Sequence, residues 1–261
     1  VCQVQATKGA FAAIREDGTV VTWGDVKRGG DSSPVQELLQ DVQSIEGSKG
    51  AFAAVRRDGT VVTWGYARVG GDSRKVQDRL IDVVQVYATE AAFAGLLGCG
   101  EVVAWGDATC GGDITSVQEQ LRDVAQLSAS KGAFAAILSS GRVVTWGDPK
   151  CGGDSDSVQE DLRDVQEIVA SGGAFAALLG SGGVVTWGYA NRGGDSSSVQ
   201  EQLKNVQQIE ASVGAFAAVT AEGAVITWGH AQMGGDSSPV REQLRRTSIF
   251  GPEVKGPQTI Q

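Results

Sequence analysis

Six tryptophans recur at one fixed interval of 41 residues, at Trp23, Trp64, Trp105, Trp146, Trp187 and Trp228. The phenylalanine of an A-F-A motif keeps the same step at Phe11, Phe52, Phe93, Phe134, Phe175 and Phe216. A strict period of this length limits the fold more than any other feature of the chain. A cassette of 41 residues cannot bury its apolar face alone, so it has to stack on its own copies. Six copies fill residues 1–246, and we expect them to form one domain. The tail, 247–261, breaks the pattern with Pro252 and Pro257. A terminus of that composition is ordered only when docked, and Ile249 and Phe250 are its candidate anchors.

Residues 42–82 illustrate one unit. Val42 to Gly47 (VQSIEG) alternates apolar and polar residues, the pattern of a strand. Ala51 to Arg56 (AFAAVR) and Thr60 to Trp64 (TVVTW) are β-prone runs joined through Asp58-Gly59, a hairpin signal because glycine accepts the positive φ of the turn. The last quarter differs. After Gly70-Gly71-Asp72-Ser73 the apolar residues fall at Val76, Leu80 and Val83, a helical spacing with Asp and Ser as N-cap candidates. This predicts a short helix of two turns, with a fourth strand as the alternative.

The runs AFAA and VVTW are apolar at successive positions, so their strands are covered on both faces. Blades packed around an axis meet that demand, and so do coils stacked in a solenoid. Small alanines favour the propeller, where strands crowd near the axis, and each tryptophan is expected to fill the gap between neighbouring units. The expected fold is mainly β: a tandem-repeat propeller of six short blades, each of about three strands plus a short helix or fourth strand. An open arc or solenoid of the same units is the alternative.

The string D-G-T-V-V-T-W-G, as in Asp58 to Gly65, followed by a glycine pair, resembles the regulator-of-chromosome-condensation repeat over all six units. The 41-residue form with G-G-D-S and V-Q-x-x-L is similar to repeat proteins of dinoflagellate algae. The resemblance implies a β-propeller, commonly of seven blades. Members include a nucleotide exchange factor, subunits of ubiquitin ligases and a plant photoreceptor. The uninterrupted register here lacks the inserted loops of the exchange factor, and no ligase domain is present, so activity does not follow from fold.

Charge and chemistry narrow the function classes. The net charge is −9, and the densest basic cluster, Arg241, Arg245 and Arg246, is short. Phosphate-dominated binding needs a basic stripe, so nucleic acid is not an expected partner. No apolar run reaches the length of a membrane span and no signal peptide opens the chain, so a soluble protein without membrane insertion is expected. The cysteines, Cys2, Cys99, Cys110 and Cys151, form no C-x-x-C pair and read as small apolar groups. His230 is the sole histidine, so any histidine-based triad would have to use it. It occupies a position where other units carry Asp or Tyr, which suits a loop residue better. Asp31, Asp72, Asp113, Asp154, Asp195 and Asp236 could form a ring of cation ligands, but recurrence in every unit favours capping and turn closure. No catalytic residue, cofactor or metal is expected.

Between the constant Trp-Gly and Gly-Gly-Asp lie four variable residues: DVKR, YARV, DATC, DPKC, YANR and HAQM. Varying loops on a fixed repeat project from one face and often bind partners. Arg28, Tyr66, Arg68, Lys150, Tyr189, Arg192, His230 and Met233 are the candidate protein-binding residues on that rim. Solvated drift at unconstrained positions is the competing account. The leading expectation is a non-catalytic scaffold or accessory subunit binding other proteins in a multi-subunit complex. A regulatory module like the exchange-factor or ubiquitin-ligase propellers comes second, and an enzyme third.

Overall fold

The computed structural model describes residues 1–244. The expected anchors Ile249 and Phe250 lie outside them. Each unit is a three-stranded antiparallel sheet in chain order. In the second unit the strands are Val42–Gly47, Ala51–Arg56 and Val61–Gly65. Asp58-Gly59 makes the hairpin turn: Gly59 has φ +77°, and the Thr60 N–H donates to Asp58 Oδ1 at 3.0 Å. The hairpin register sets Phe52 opposite Trp64, and their rings stack at 5.2 Å. Among the described residues no sheet has a fourth strand.

The sheets stack as blades, and the five junctions share one design. Ala10, Ala12, Ile14, Val20 and Leu39 of the first blade meet Val42, Ile45, Phe52, Ala54, Val62 and Trp64 of the second in one dry cluster. The Trp64 indole N–H donates 3.0 Å to the Gly29 carbonyl of the preceding blade. Trp105, Trp146, Trp187 and Trp228 repeat that bond to Gly70, Gly111, Gly152 and Gly193, each at 3.0 Å. A backbone bond from Val42 N–H to Gly18 C=O recurs at the other four junctions. Trp64 is 4% exposed, whereas Trp23 is 47% exposed. Nothing among the described residues covers the leading face of the first blade. The six blades are those of a β-propeller, and among the described residues its first and sixth blades do not seal against one another.

The short helix expected after Gly-Gly-Asp forms as 3-10 and not as a regular α-helix, over Ser33–Leu38 in the first unit and Gln77–Arg79 in the second. Among the described residues the sixth unit alone adds an α-helical turn, Arg241–Leu244. Val76, Leu80 and Val83 do share one core, as their spacing suggests. The chain, however, must enter the next strand at Val83, and Asp82 reverses it at φ +59°. That leaves too few residues to repay helix nucleation.

A part-buried polar chain fixes this segment. The hydroxyls of Thr63 and Ser73 lie 2.9 Å apart, Ser73 Oγ donates to Gln77 Oε1 at 2.8 Å, and Gln77 Nε2 donates to the Val61 carbonyl at 2.9 Å. The first, fourth and fifth units carry the same chain. In the third unit Ala104 and Ile114 replace both hydroxyl residues and pack in the apolar core. Losing the threonine hydroxyl leaves the buried serine with one of its two bonds, the one to glutamine, whereas losing both hydroxyls together is tolerated. Thr63→Ala alone is therefore expected to cost about 1–2 kcal/mol. Adding Ser73→Ile should recover about half of that loss, a coupling that a double-mutant cycle in urea reads directly. Additive losses would contradict this account.

Candidate functional rim

The variable four-residue loops all leave the same end of the third strand, so stacking the blades brings them to one edge. Each loop backbone is held at both ends by bonds to the turn between the first and second strands of its blade. At its start the N–H of Asp25, Tyr66, Asp107, Asp148, Tyr189 or His230 donates to the carbonyl of a residue sixteen positions earlier, as Tyr66 does to Gly50 at 2.8 Å. At its end a hydroxyl from the turn between the first and second strands donates to the last loop carbonyl. Ser48 reaches Val69 at 2.8 Å, Ser130 reaches Cys151 at 2.8 Å and Ser171 reaches Arg192 at 2.8 Å. The loop is thus a rigid mount on which side chains can change freely.

The loops are 3-10 turns such as Val26–Arg28, ended by a glycine in the left-handed region such as Gly29. Where the first loop residue is Asp, its carboxylate caps the turn: Asp25 accepts from Lys27 N–H, Asp107 from Thr109 N–H and Asp148 from Lys150 N–H, each at 2.9 Å. Tyr66, Tyr189 and His230 stand at the same position and make no side-chain cap. A lost cap costs about 0.5–2 kcal/mol. Local stability therefore does not account for these three residues.

Of the candidates, Arg28 and Tyr66 both flank Gly50, where an added Cβ would lie 3.8 Å and 3.7 Å from their side chains. Tyr189 and Arg192 flank Gly173 in the same way, and Arg192 Nη1 donates to the Val213 carbonyl of the next blade at 2.9 Å. Arg68 and Lys150 are exposed on their own loops. Met233 lies against Gly214, and the Nδ1 of His230 is enclosed without a hydrogen-bond partner among the described residues.

A second row of residues on this face had no signature in the sequence. The turns that hold the loops run blade to blade through backbone bonds, Lys8 N–H to Lys49 C=O, Lys49 N–H to Glu90 C=O and Glu90 N–H to Lys131 C=O. Lys8 of the first blade also reaches Glu90 of the third at 2.9 Å, and Lys131 approaches the same carboxylate at 3.6 Å. Partial burial opposes the charge of Glu90, but the Lys8 hydrogen bond and the charges of Lys131, Lys8 and Lys49 outweigh it and hold its carboxyl below the usual range. Counted over these turns and the loops, eight Lys or Arg face four carboxylates, within a chain whose net charge is −9.

The Gly-Gly-Asp aspartates close turns. Asp31, Asp72, Asp113, Asp154, Asp195 and Asp236 each accept from the backbone N–H two residues on, at 2.9 to 3.1 Å. The Arg74 side chain also holds Asp72 down to about 2. Among the described residues no group of His, Cys, Asp and Glu is placed to hold a metal ion. Burial raises the thiol of Cys110, and burial together with Asp148 pushes that of Cys151 up to about 11, so neither is an activated nucleophile. No helix of the described residues is long and apolar enough to cross a membrane.

No protein-family model matches the chain, and no curated protein matches it. Solved structures do. Yeast RCC1 (Prp20) bound to Kap60 superposes with a TM-score of 0.56 at 16% identity, covering 88% of this chain and 70% of that one. Human WBSCR16 gives a TM-score of 0.54 at 19% identity over 87% of this chain and 75% of that one. The CRINKLY WD40 ectodomain of the Arabidopsis thaliana receptor kinase ACR4 gives 0.52 at 16% identity, over 87% and 80%. Identities this low speak to fold and not to activity. Six sheets in chain order, a tryptophan bridging each junction and these superpositions together give the chain the fold of the RCC1-like β-propellers.

Proposed function

We propose that the chain is a non-catalytic scaffold or accessory subunit, and that its rim of variable loops binds an acidic patch on a protein partner within a larger assembly. The observation that carries this reading is the pair Tyr66 and Tyr189. Each stands about half exposed at a position where aspartate would cap the turn, so each gives up local stability for an aromatic surface. Tyr and Arg are enriched in interface hot spots, and here Tyr66 with Arg68 and Tyr189 with Arg192 each share one loop on a rigid mount. The surplus of basic side chains on this face complements a carboxylate-rich surface and predicts binding that weakens as salt rises.

The test is affinity capture from the native source with the wild-type chain and with Tyr66→Ala combined with Arg68→Glu. A protein partner should be retained by the wild type at low salt and lost by the variant, while thermal unfolding of the variant stays unchanged. Equal recovery by both chains would sink the rim as the binding surface. A regulatory role is a second reading, favoured by the superposition on Prp20, whose structures describe binding to Kap60, Gsp1p and histones. Recovery of a small GTPase would select it.

A further inference from the structure

The leading face of the first blade carries the complete apolar set with which every other blade grips its predecessor. At the first junction that set is Val42, Ile45, Phe52, Ala54, Val62 and Trp64. One period earlier stand Val1, Val4, Phe11, Ala13, Val21 and Trp23. All but Ala13 are exposed, and Phe11 still stacks on Trp23 at 5.3 Å. No bulge interrupts the pairing of the first two strands to blunt this face, a usual protection of a free sheet.

The far end of the array carries the matching half. The trailing set of the first blade, Ala10, Ala12, Ile14, Val20 and Leu39, recurs in the sixth as Ala215, Ala217, Val219, Val225 and Leu244. Leu244 is exposed, although its counterpart Leu39 is fully buried. Gly234 occupies the place of the glycines whose carbonyls accept the indole bonds, and no described atom lies within 4 Å of the point where its Cβ would be. The described blades thus present two unlike outer faces, and five internal junctions show that faces of these two kinds fit.

We propose that the leading face of one chain seats on the trailing face of a second copy, with Trp23 donating to the Gly234 carbonyl across the contact. The sixth blade of one molecule is then continued by the first blade of the next. The contact is head-to-tail, so it grows by whole chains until the rotation closes a ring or a filament forms. It stands independently of the rim. Being apolar, it persists at salt concentrations that weaken the charged rim.

Sedimentation of the full chain over a wide concentration range tests the proposal. The mass should rise in steps of one chain and do so in high salt. Trp23→Arg blocks the leading face and Ala217→Arg the trailing face, so each variant alone should remain a monomer with native circular dichroism. Mixed in equal amounts they should form a 1:1 dimer, because each retains the face that the other needs. Leu244→Arg, at an exposed position, replaces Ala217→Arg should that change disturb the sixth blade. A wild-type chain that stays monomeric at every concentration overturns the proposal. So do single variants that associate like the wild type, or a mixture that does not pair.

Discussion

Replacing Trp146 by alanine should lower the unfolding free energy by about 3–5 kcal/mol, the range for deleting a large buried aromatic side chain. The indole is almost fully buried, stacks on Phe134 at 5.2 Å and donates to Gly111 of the preceding blade at 3.0 Å. Its loss opens a cavity at a junction and leaves the Gly111 carbonyl without that donor. Against a total stability of about 5–15 kcal/mol, a change of this size empties much of the folded population at physiological temperature. Trp23→Ala is the internal control. It removes the same residue and the same stack, on Phe11, but from a face open to water, and should cost about 1 kcal/mol or less in dilute monomer. Urea denaturation of both variants measures the contrast, and equal losses would show that the junction is not what the tryptophans stabilise.

Gly70→Ala should be comparably severe, at about 2–5 kcal/mol, from left-handed backbone strain and overpacking together. Gly70 has φ +99°, and an added Cβ would sit 2.3 Å from Cδ2 of Phe93, a ring with no exposure and no room to retreat. Gly234→Ala meets the same backbone condition, at φ +105°, without a described neighbour within 4 Å. It should cost only the conformational part, about 1–2 kcal/mol. The difference between the two isolates the steric demand of a closed junction from the demand of the turn. Thermal unfolding of the two variants reads it, and an equal shift in Tm would place the cost in the backbone alone.

Much of this molecule is legible in its sequence because the repeat turns weak local signals into strong ones. One turn glycine between apolar runs suggests a hairpin, and six in register, two of them preceded by aspartate, leave little alternative. The Gly-Gly-Asp segment was harder. Val76 and Leu80 keep helical spacing because both reach one core, yet the chain between Ser73 and Val83 is too short for a helix and bends through 3-10 turns. Gln77 is a strut that nothing in V-Q-x-x-L announces, its side-chain amide donating to the Val61 carbonyl. The basic rim was invisible because net charge sums over all faces, while Lys8, Lys49 and Lys131 gather only when blades stack. The open leading face was equally hidden: Trp23 and Trp64 sit in near-identical strings, and only their neighbours in space separate them.

The sameness of the five junctions has a cost during folding. A blade that meets a non-adjacent blade finds the glycine carbonyl and the alanine floor it needs, so a shift by one whole cassette is nearly isoenergetic locally. Repeat arrays are prone to such mispairing, and only chain connectivity and small differences between cassettes oppose it. The third cassette carries such a difference, with Ala104 and Ile114 in place of the hydroxyl pair. That apolar pair makes the third cassette unlike the others at this position, a difference that opposes such a shift.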